Sequence, residues 1–470
     1  MYPQRRLAAA SALCAVLTLG AAASVPTSVP QTPPAQQPPA QQPAEVFVPI
    51  TGAPGLPPKL AVPEFIPLTT DAETVAAAKT IGQVLWDDFD FEREFYMVGR
   101  DTYKTIPPPA SLEQVPLDRW KEIGADGVLV GTVRKSPAGV TVQFRLINVN
   151  SGQSSMAKEY SGSLASIQAA ASRTYSHTIA DEVHKQQRAL DGVARTKIAF
   201  TSDRDGDRIK GPVDNRGVSN LYIADYDGAR QTRVTISRAQ DISPVWAPDG
   251  RAIAFSSWRS GYQDLYVLFP YGGPPLQNPT RGTADKQSYL PAFSPDGQKL
   301  AFTSSRDGNP EIYVMNRDGS GVQRITNHPT IDSTPTWSPT GTQIAFTSDR
   351  SGSPQIYVVD ANGGQPQQIT RESHCDRPTW SPAPFNEIAY SSRAGAGNNI
   401  KIFDFATRST KTITDSIGNN ESPAFAPNGR HLAFVSSRAG KEQIFTIARD
   451  GKDLRQITRT GVNRYPNWSR

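Results

Sequence analysis

Cysteine is nearly absent: Cys14 and Cys375 are the only two in 470 residues. Cys14 falls in a segment expected to be removed, so no disulfide within the mature chain is available. With only five histidines besides, there is no Cys/His zinc site of familiar spacing, and no metal or cofactor is expected. The apolar run from Leu7 to Leu19 is too short to cross a bilayer. Charge of one sign is scarce too. Lys and Arg exceed Asp and Glu by five without forming basic blocks, which argues against a nucleic-acid partner. The chain has no Gly-x-Ser-x-Gly elbow, no His-Glu-x-x-His, no phosphate loop and no dinucleotide fingerprint. Familiar hydrolase, metalloprotease and nucleotide-binding chemistry thus lacks its residues. No catalytic residues are assigned, and the chain is not expected to be an enzyme. The alternative is a secreted propeller enzyme or carbohydrate-binding module acting through a central funnel.

What is present begins with an export signal over residues 1–23. Arg5-Arg6 supplies the charge, an apolar stretch follows, and Ala21-Ala22-Ala23 offers small residues for cleavage. Residues 24–44 are Pro, Gln, Ala, Ser, Thr and Val, which cannot bury a core. Such a tether reaches about 60 Å at about 3.1 Å per residue. Glu45-Val46-Phe47-Val48-Pro49-Ile50 breaks this composition. It reads as the first strand of the next domain or plain linker, or as a peptide that adds to a partner's sheet edge. Residues 58–190 read as a small α/β domain. Asp71 caps a helix carrying Val75, Ala78, Ile81, Leu85 and Phe89. A three-strand meander covers Gly127–Arg134, Val140–Asn148 and Ser154–Ser161, and a helix runs from Ile167 to Arg188. His177 and His184 share one face of that helix and are assigned to packing or solvent.

Residues 195–470 are organised by one recurring phrase. It reads SPVWAPDGRAIAFSSWR from Ser243, LPAFSPDGQKLAFTSSR from Leu290 and TPTWSPTGTQIAFTSDR from Thr334, with variants from Arg377 and Ser422. The alanines of its core, Ala199, Ala254, Ala301, Ala345, Ala389 and Ala433, lie 55, 47, 44, 44 and 44 residues apart. Each unit holds four short β-prone runs, in the third unit Pro291–Ser294, Lys299–Ser304, Glu311–Met315 and Val322–Thr326. Four antiparallel strands per unit make one blade of a β-propeller. The first unit lacks its Pro-x-aromatic strand, and Tyr465–Ser469 is such a strand without a unit. The last strand is therefore expected to complete the first blade, closing a ring of six and removing the open edges.

Two sets of residues recur around this ring. Arg204, Arg259, Arg306, Arg350, Arg393 and Arg438 follow the second strand of each blade. They are expected to lock the ring by pairing with acids of adjacent blades. Just before each first-strand Pro lie Asp241, Ser288, Tyr289, Asp332, Ser333, Cys375, Asp376, Asn420, Glu421, Asn463 and Arg464. These vary from blade to blade on a rigid scaffold, as a recognition face needs. Asp203-Arg204-Asp205-Gly206-Asp207 has alternating carboxylates but lacks the later Gly and closing Glu of a calcium loop, and reads as a polar loop.

The whole layout resembles the TolB family. The resemblance rests on the order of segments, on SPDGQKLAFTSSRDGNPEIYVMNRDG at 294–319, on LYIADYDG at 221–228, and on the passage from Asp181-Glu182-Val183 into Arg195–Phe200. It implies an all-β six-bladed propeller with an N-terminal α/β domain, in a monomeric periplasmic protein that binds and does not catalyse. It further implies two partners. The lipoprotein Pal would dock across the propeller mouth on Asp241, Ser288, Tyr289, Asp332, Ser333, Asp376, Asn420, Glu421 and Arg464. TolA would bind the N-terminal segment 45–57 through Glu45, Val46, Phe47, Val48 and Ile50. Other outer-membrane proteins belong to the same setting of division and envelope maintenance; a small-molecule substrate does not. The Pro/Gln tract departs from the family, whose TolA-binding segment stands at the mature N-terminus.

Overall fold

The structure, a computed structural model, describes residues 49–52, 55–208, 217–283 and 285–469. The proposed signal, the tether and Glu45–Val48 lie outside the described residues.

The α/β domain is built on strands β1 (Lys59–Ala61), β2 (Ile66–Pro67), β3 (Tyr96–Met97), β4 (Gly127–Ser136), β5 (Gly139–Asn148) and β6 (Ser154–Gly162). Their order is β3-β1-β4-β5-β6, with β2 pairing β4. The expected meander is β4–β6, turned tightly where Ser136 pairs with Gly139. Two long helices, α1 (Ala72–Glu92) and α3 (Ala169–Arg188), bracket the short α2 (Leu117–Glu122). Asp71 caps α1 as its sequence position demands: its carboxylate accepts from the Thr74 N–H at 3.1 Å. The helices α1 and α3 pack together; Ile81, Leu85, Phe89, Ile179 and Val183 are buried.

From Lys197 on, the chain forms six antiparallel sheets. Lys299–Ser304 is a strand with the expected bounds, whereas the first strand of that blade starts earlier, at Ser288, and ends at Phe293. The reason is a bulge. Proline has no N–H for the ladder, so the register shifts between Tyr289 and Ala292. The same shift recurs in every first strand. The residue before each proline takes up the distortion: Ser243, Leu290, Thr334, Arg377, Ser422 and Tyr465 all have φ between 52° and 54°. A left-handed non-glycine residue costs about 1–2 kcal/mol.

The ring closes as expected. Asn463–Trp468 pairs with Lys197–Ser202. Beyond the ladder, Ser469 N–H donates to Lys197 O and Lys197 N–H donates to Ser469 Oγ, both at 2.8 Å.

The α/β domain rests on the propeller through α1 and α3. Phe91 stacks on His431 at 4.2 Å and lies 4.7 Å from Tyr226. Ion pairs ring this seam: Asp90 with Arg455 at 2.8 Å, and Arg93 with Asp450 at 3.0 Å and Asp453 at 2.9 Å. These propeller groups lie in, or at the strand ends beside, the turns joining first to second and third to fourth strands. In an antiparallel blade the other two kinds of connection emerge at the opposite end. The face expected to carry recognition therefore points away from the α/β domain.

Candidate functional site

On that far face, five of the six repeated arginines do one structural job. Arg259 Nη2 lies 2.9 Å from Asp241, its Nε donates to Ser257 Oγ at 3.0 Å, and its guanidinium sits 4.7 Å from the Tyr266 ring. Arg350 repeats this with Asp332 at 2.7 Å, Ser348 at 2.8 Å and Tyr357 at 5.0 Å. Arg204, Arg306 and Arg438 use the neutral acceptors Asn463, Ser288 and Asn420, Arg438 also pairing with Asp415 of the connection from blade 5 at 2.9 Å. The acceptor precedes its arginine by 18 residues in four of these blades and belongs to the same sheet. The expected pairing between adjacent blades is thus corrected: the latch ties the first strand of a blade to its own second strand. Arg393 is exposed and stands one residue before the latch position, which blade 5 fills with Ala394.

This latch divides the residues expected at the docking face. Asp241, Ser288, Asp332 and Asn420 are fully buried beneath their arginines, so they hold blades together and present nothing to a partner. Tyr289, Ser333, Asp376 and Glu421 are half-buried and Arg464 is exposed. Asp376 accepts from Thr347 Oγ1 at 3.0 Å and from the Arg377 N–H. Glu421 accepts from Asn398 Nδ2 at 2.8 Å, joining blades 5 and 6. Arg464 pairs with Glu442. Arg377 reaches across the bore to stand 4.7 Å from the Tyr465 ring, narrowing this end of the channel to a cavity of about 110 Å³.

Sequence reasoning missed three exposed apolar groups here. Ile236, Ile331 and Ile417 are 89, 47 and 57 % exposed. They stand in the loops leading into blades 2, 4 and 6, an alternating apolar rim. Their signal was an isoleucine placed among turn residues, outside any strand period.

Ile50 is also corrected. It is buried against β4, where a Cβ on Gly127 would meet its Cδ1 at 2.5 Å. Its N–H donates to Gln187 Oε1 at 2.9 Å, and Asn148 holds Pro49 O. It anchors the chain to the domain and does not face outward.

His184 packs between Phe89 and Phe95, as assigned, and burial pushes its pKa down to about 4. His177 belongs to a charged cluster in the seam. Its Nδ1 lies 2.9 Å from Asp88, and its Nε2 3.8 Å from Asp225. Tyr226 donates to Asp88 at 2.6 Å. Though burial opposes it, the two carboxylates hold His177 protonated, raising its pKa to about 9. In the Asp203–Asp207 loop, the carboxylates receive Val462 N–H, Tyr222 and Arg233. Among the described residues no cluster of His, Cys, Asp and Glu could hold a metal ion.

A six-bladed propeller closed by its last strand, carrying an α/β domain on one face and varied loops on the other, defines the class: a two-domain β-propeller protein. Family comparison gives the particular member. The TolB beta propeller domain matches residues 191–470 and the TolB amino-terminal domain matches residues 46–155, so the chain belongs to the TolB family. A Tol-Pal system protein TolB of Desulfosudis oleivorans is 31 % identical over 210 residues, 44 % of each chain. Its counterpart in Anaeromyxobacter dehalogenans is 31 % identical over 217 residues, 46 % of this chain and 45 % of its own. The matched stretch spans less than half the length of these curated relatives. The crystal structure of TolB from Acinetobacter baumannii superposes with a TM-score of 0.72 at 25 % identity, covering 88 % of this chain and 96 % of that one.

Proposed function

We propose that this chain is a periplasmic scaffold of the Tol–Pal envelope system, binding Pal across the far mouth of its propeller and TolA through the segment around 45–48. The observation that carries the reading is the asymmetry of the ring. One face is occupied by the α/β domain, and the other displays isoleucines on alternate blades around a narrowed bore. Exposed apolar residues on a polar rim mark a protein-docking surface. Glu45, Val46, Phe47 and Val48 lead directly to the Pro49–Ile50 anchor, so a partner holding them would pull on α3 through Gln187. The test is co-purification of Pal and TolA from solubilised envelopes. Ile236→Ser together with Ile331→Ser should lose Pal only, and deletion of 45–48 should lose TolA only. Full Pal recovery with both isoleucines changed would sink the assigned face.

A further inference from the structure

On the face that carries the α/β domain, one repeated position closes the gaps between blades. The residue after the third strand donates its N–H to the carbonyl of the residue before the second strand: Arg317 to Gln298, Ala361 to Thr342, Phe405 to Asn386 and Arg449 to Arg430. These four side chains therefore stand in register. Three of them fill the space beside them. Arg317 of blade 3 lies 5.5 Å from the Phe293 ring and 5.9 Å from the Phe269 ring, with Nη1 3.6 Å from Asp249 of blade 2. Arg449 of blade 6 lies 4.2 Å from the Phe385 ring of blade 5, with Nε 2.6 Å from Glu387. Phe405 stacks on Trp380 at 5.2 Å.

Blade 4 has only Ala361 at this position, and its gap is open. A groove of about 340 Å³ lies there between blades 3 and 4, its lining including Asp296, Lys299, Trp337, Asp360, Ala361 and Asn362. Two of its walls repeat those around Arg317, one blade on. Asp296 holds the place of Asp249. Each follows a proline in the turn between first and second strands, and each accepts from the N–H two residues on, Gln298 at 3.0 Å or Arg251 at 2.9 Å. Trp337 holds the place of Phe293: opposite them in the ladder stand Ile344 and Leu300. The acid and the ring are thus present without the guanidinium that joins them next door. Hydrogen bonds from the Ser294 hydroxyl and the Gln298 N–H hold the Asp296 carboxyl below the usual range, so it is charged at neutral pH. Asp360 adds a second carboxylate, and Lys299 opposes the two with one ammonium.

We infer that the groove between blades 3 and 4 is a binding site for a guanidinium group, an arginine side chain of another polypeptide, seated as Arg317 is seated one blade earlier. A planar cation lies over an aromatic face and meets a carboxylate at its edge, and tryptophan is the best such face. The site is on the opposite side of the ring from the isoleucine rim and goes beyond the docking reading above.

The seven tryptophans of the full chain, carried as fluorotryptophan, report by fluorine NMR. Trp337 is assigned through Trp337→Phe, the residue blade 3 already has in that place. N-acetyl-arginine amide, an arginine without charged termini, should shift the Trp337 signal with a dissociation constant of about 1 mM, and N-acetyl-lysine amide should bind about tenfold more weakly for want of a planar fork. Asp296→Asn keeps the turn, since Asn428 accepts from the Arg430 N–H at 3.1 Å in blade 6, and should weaken binding about fivefold. Lys299→Gln should strengthen it about twofold. Ala361→Arg supplies the guanidinium from within and should abolish the shift with no fall in the unfolding midpoint; if that variant does not fold, Asp296→Asn decides. A still Trp337 signal at about 20 mM ligand, equal binding of both amides, or full binding by Asp296→Asn or by Ala361→Arg overturns the inference. Binding of free arginine without binding of the amide overturns the polypeptide source.

Discussion

Trp468 is where ring closure can be tested most sharply. It lies in the closing strand, pairs with Ile198 and is 6 % exposed. Its Nε1 donates to Thr196 Oγ1 at 2.6 Å, and its ring stands 6.4 Å from Phe91 of the α/β domain. Trp468→Ala should therefore cost about 3–5 kcal/mol, the usual loss for a large buried aromatic. Packing and hydrogen bonding can be separated because the repeat supplies a control. Trp246 occupies the same place in blade 2, and its Nε1 has no acceptor among the described residues. Trp→Phe at either position loses similar volume, but only at 468 does it also break a hydrogen bond. Trp468→Phe should then be the more destabilising by about 1 kcal/mol. Urea unfolding followed by far-UV circular dichroism reads all three. Equal losses for the two phenylalanine variants, or an alanine variant within about 1 kcal/mol of the parent, would refute the closing role.

Arg350→Ala strands Asp332 in the blade and should cost about 3–5 kcal/mol in urea, whereas Arg393→Ala should cost less than about 0.5 kcal/mol. Burial raises the Glu92 pKa to about 8, well above its unfolded value, so stability from its protonated form is full below about pH 4 and lost as pH rises through 8. His177 acts in the same sense, its share present below about pH 6.5 and lost through about 9. Glu92→Gln should remove one proton's worth of slope, up to about 1.4 kcal/mol per pH unit, between pH 7 and 8; an unchanged slope in urea midpoints would exclude Glu92 as its source. Ile50→Ala should cost about 2–5 kcal/mol, and deletion of 45–48 almost nothing, by thermal unfolding.

The propeller was legible because its information is local and repeated. A Pro-Asp-Gly turn and an Ile-Ala-Phe core say the same thing in successive blades, and Lys299–Ser304 could be bounded from residues alone. First strands were harder, since the proline that marks them also produces the bulge that extends them backward. The latch was half legible: five arginines in step announced a shared role, but their partners sit in the very positions whose variability suggested recognition. Variation there is exchange among hydrogen-bond acceptors, Asp for Ser for Asn, under one constraint. The seam could not be read. His177 and Asp88 are 89 residues apart, and no period links a helix of the α/β domain to Asp225 at the end of a blade strand.

Asp332 brings these strands of argument to one measurement. Its place before a first-strand proline puts it at the docking face, yet it is fully buried, with Oδ2 at 2.7 Å from Arg350. Two other blades hold the same arginine with an uncharged oxygen, from Ser288 or Asn463. The latch therefore needs an acceptor and not a charge, and desolvation already pushes the Asp332 pKa upward. Asp332→Asn should be tolerated within about 1 kcal/mol, with Pal affinity unchanged because the side chain never reaches the surface. Asp332→Lys places an ammonium against a guanidinium in a buried site, and should prevent blade 4 from folding. Thermal unfolding and Pal affinity of both variants decide the matter. A folded lysine variant would refute the latch, and an asparagine variant that folds normally but loses Pal would return Asp332 to the docking surface.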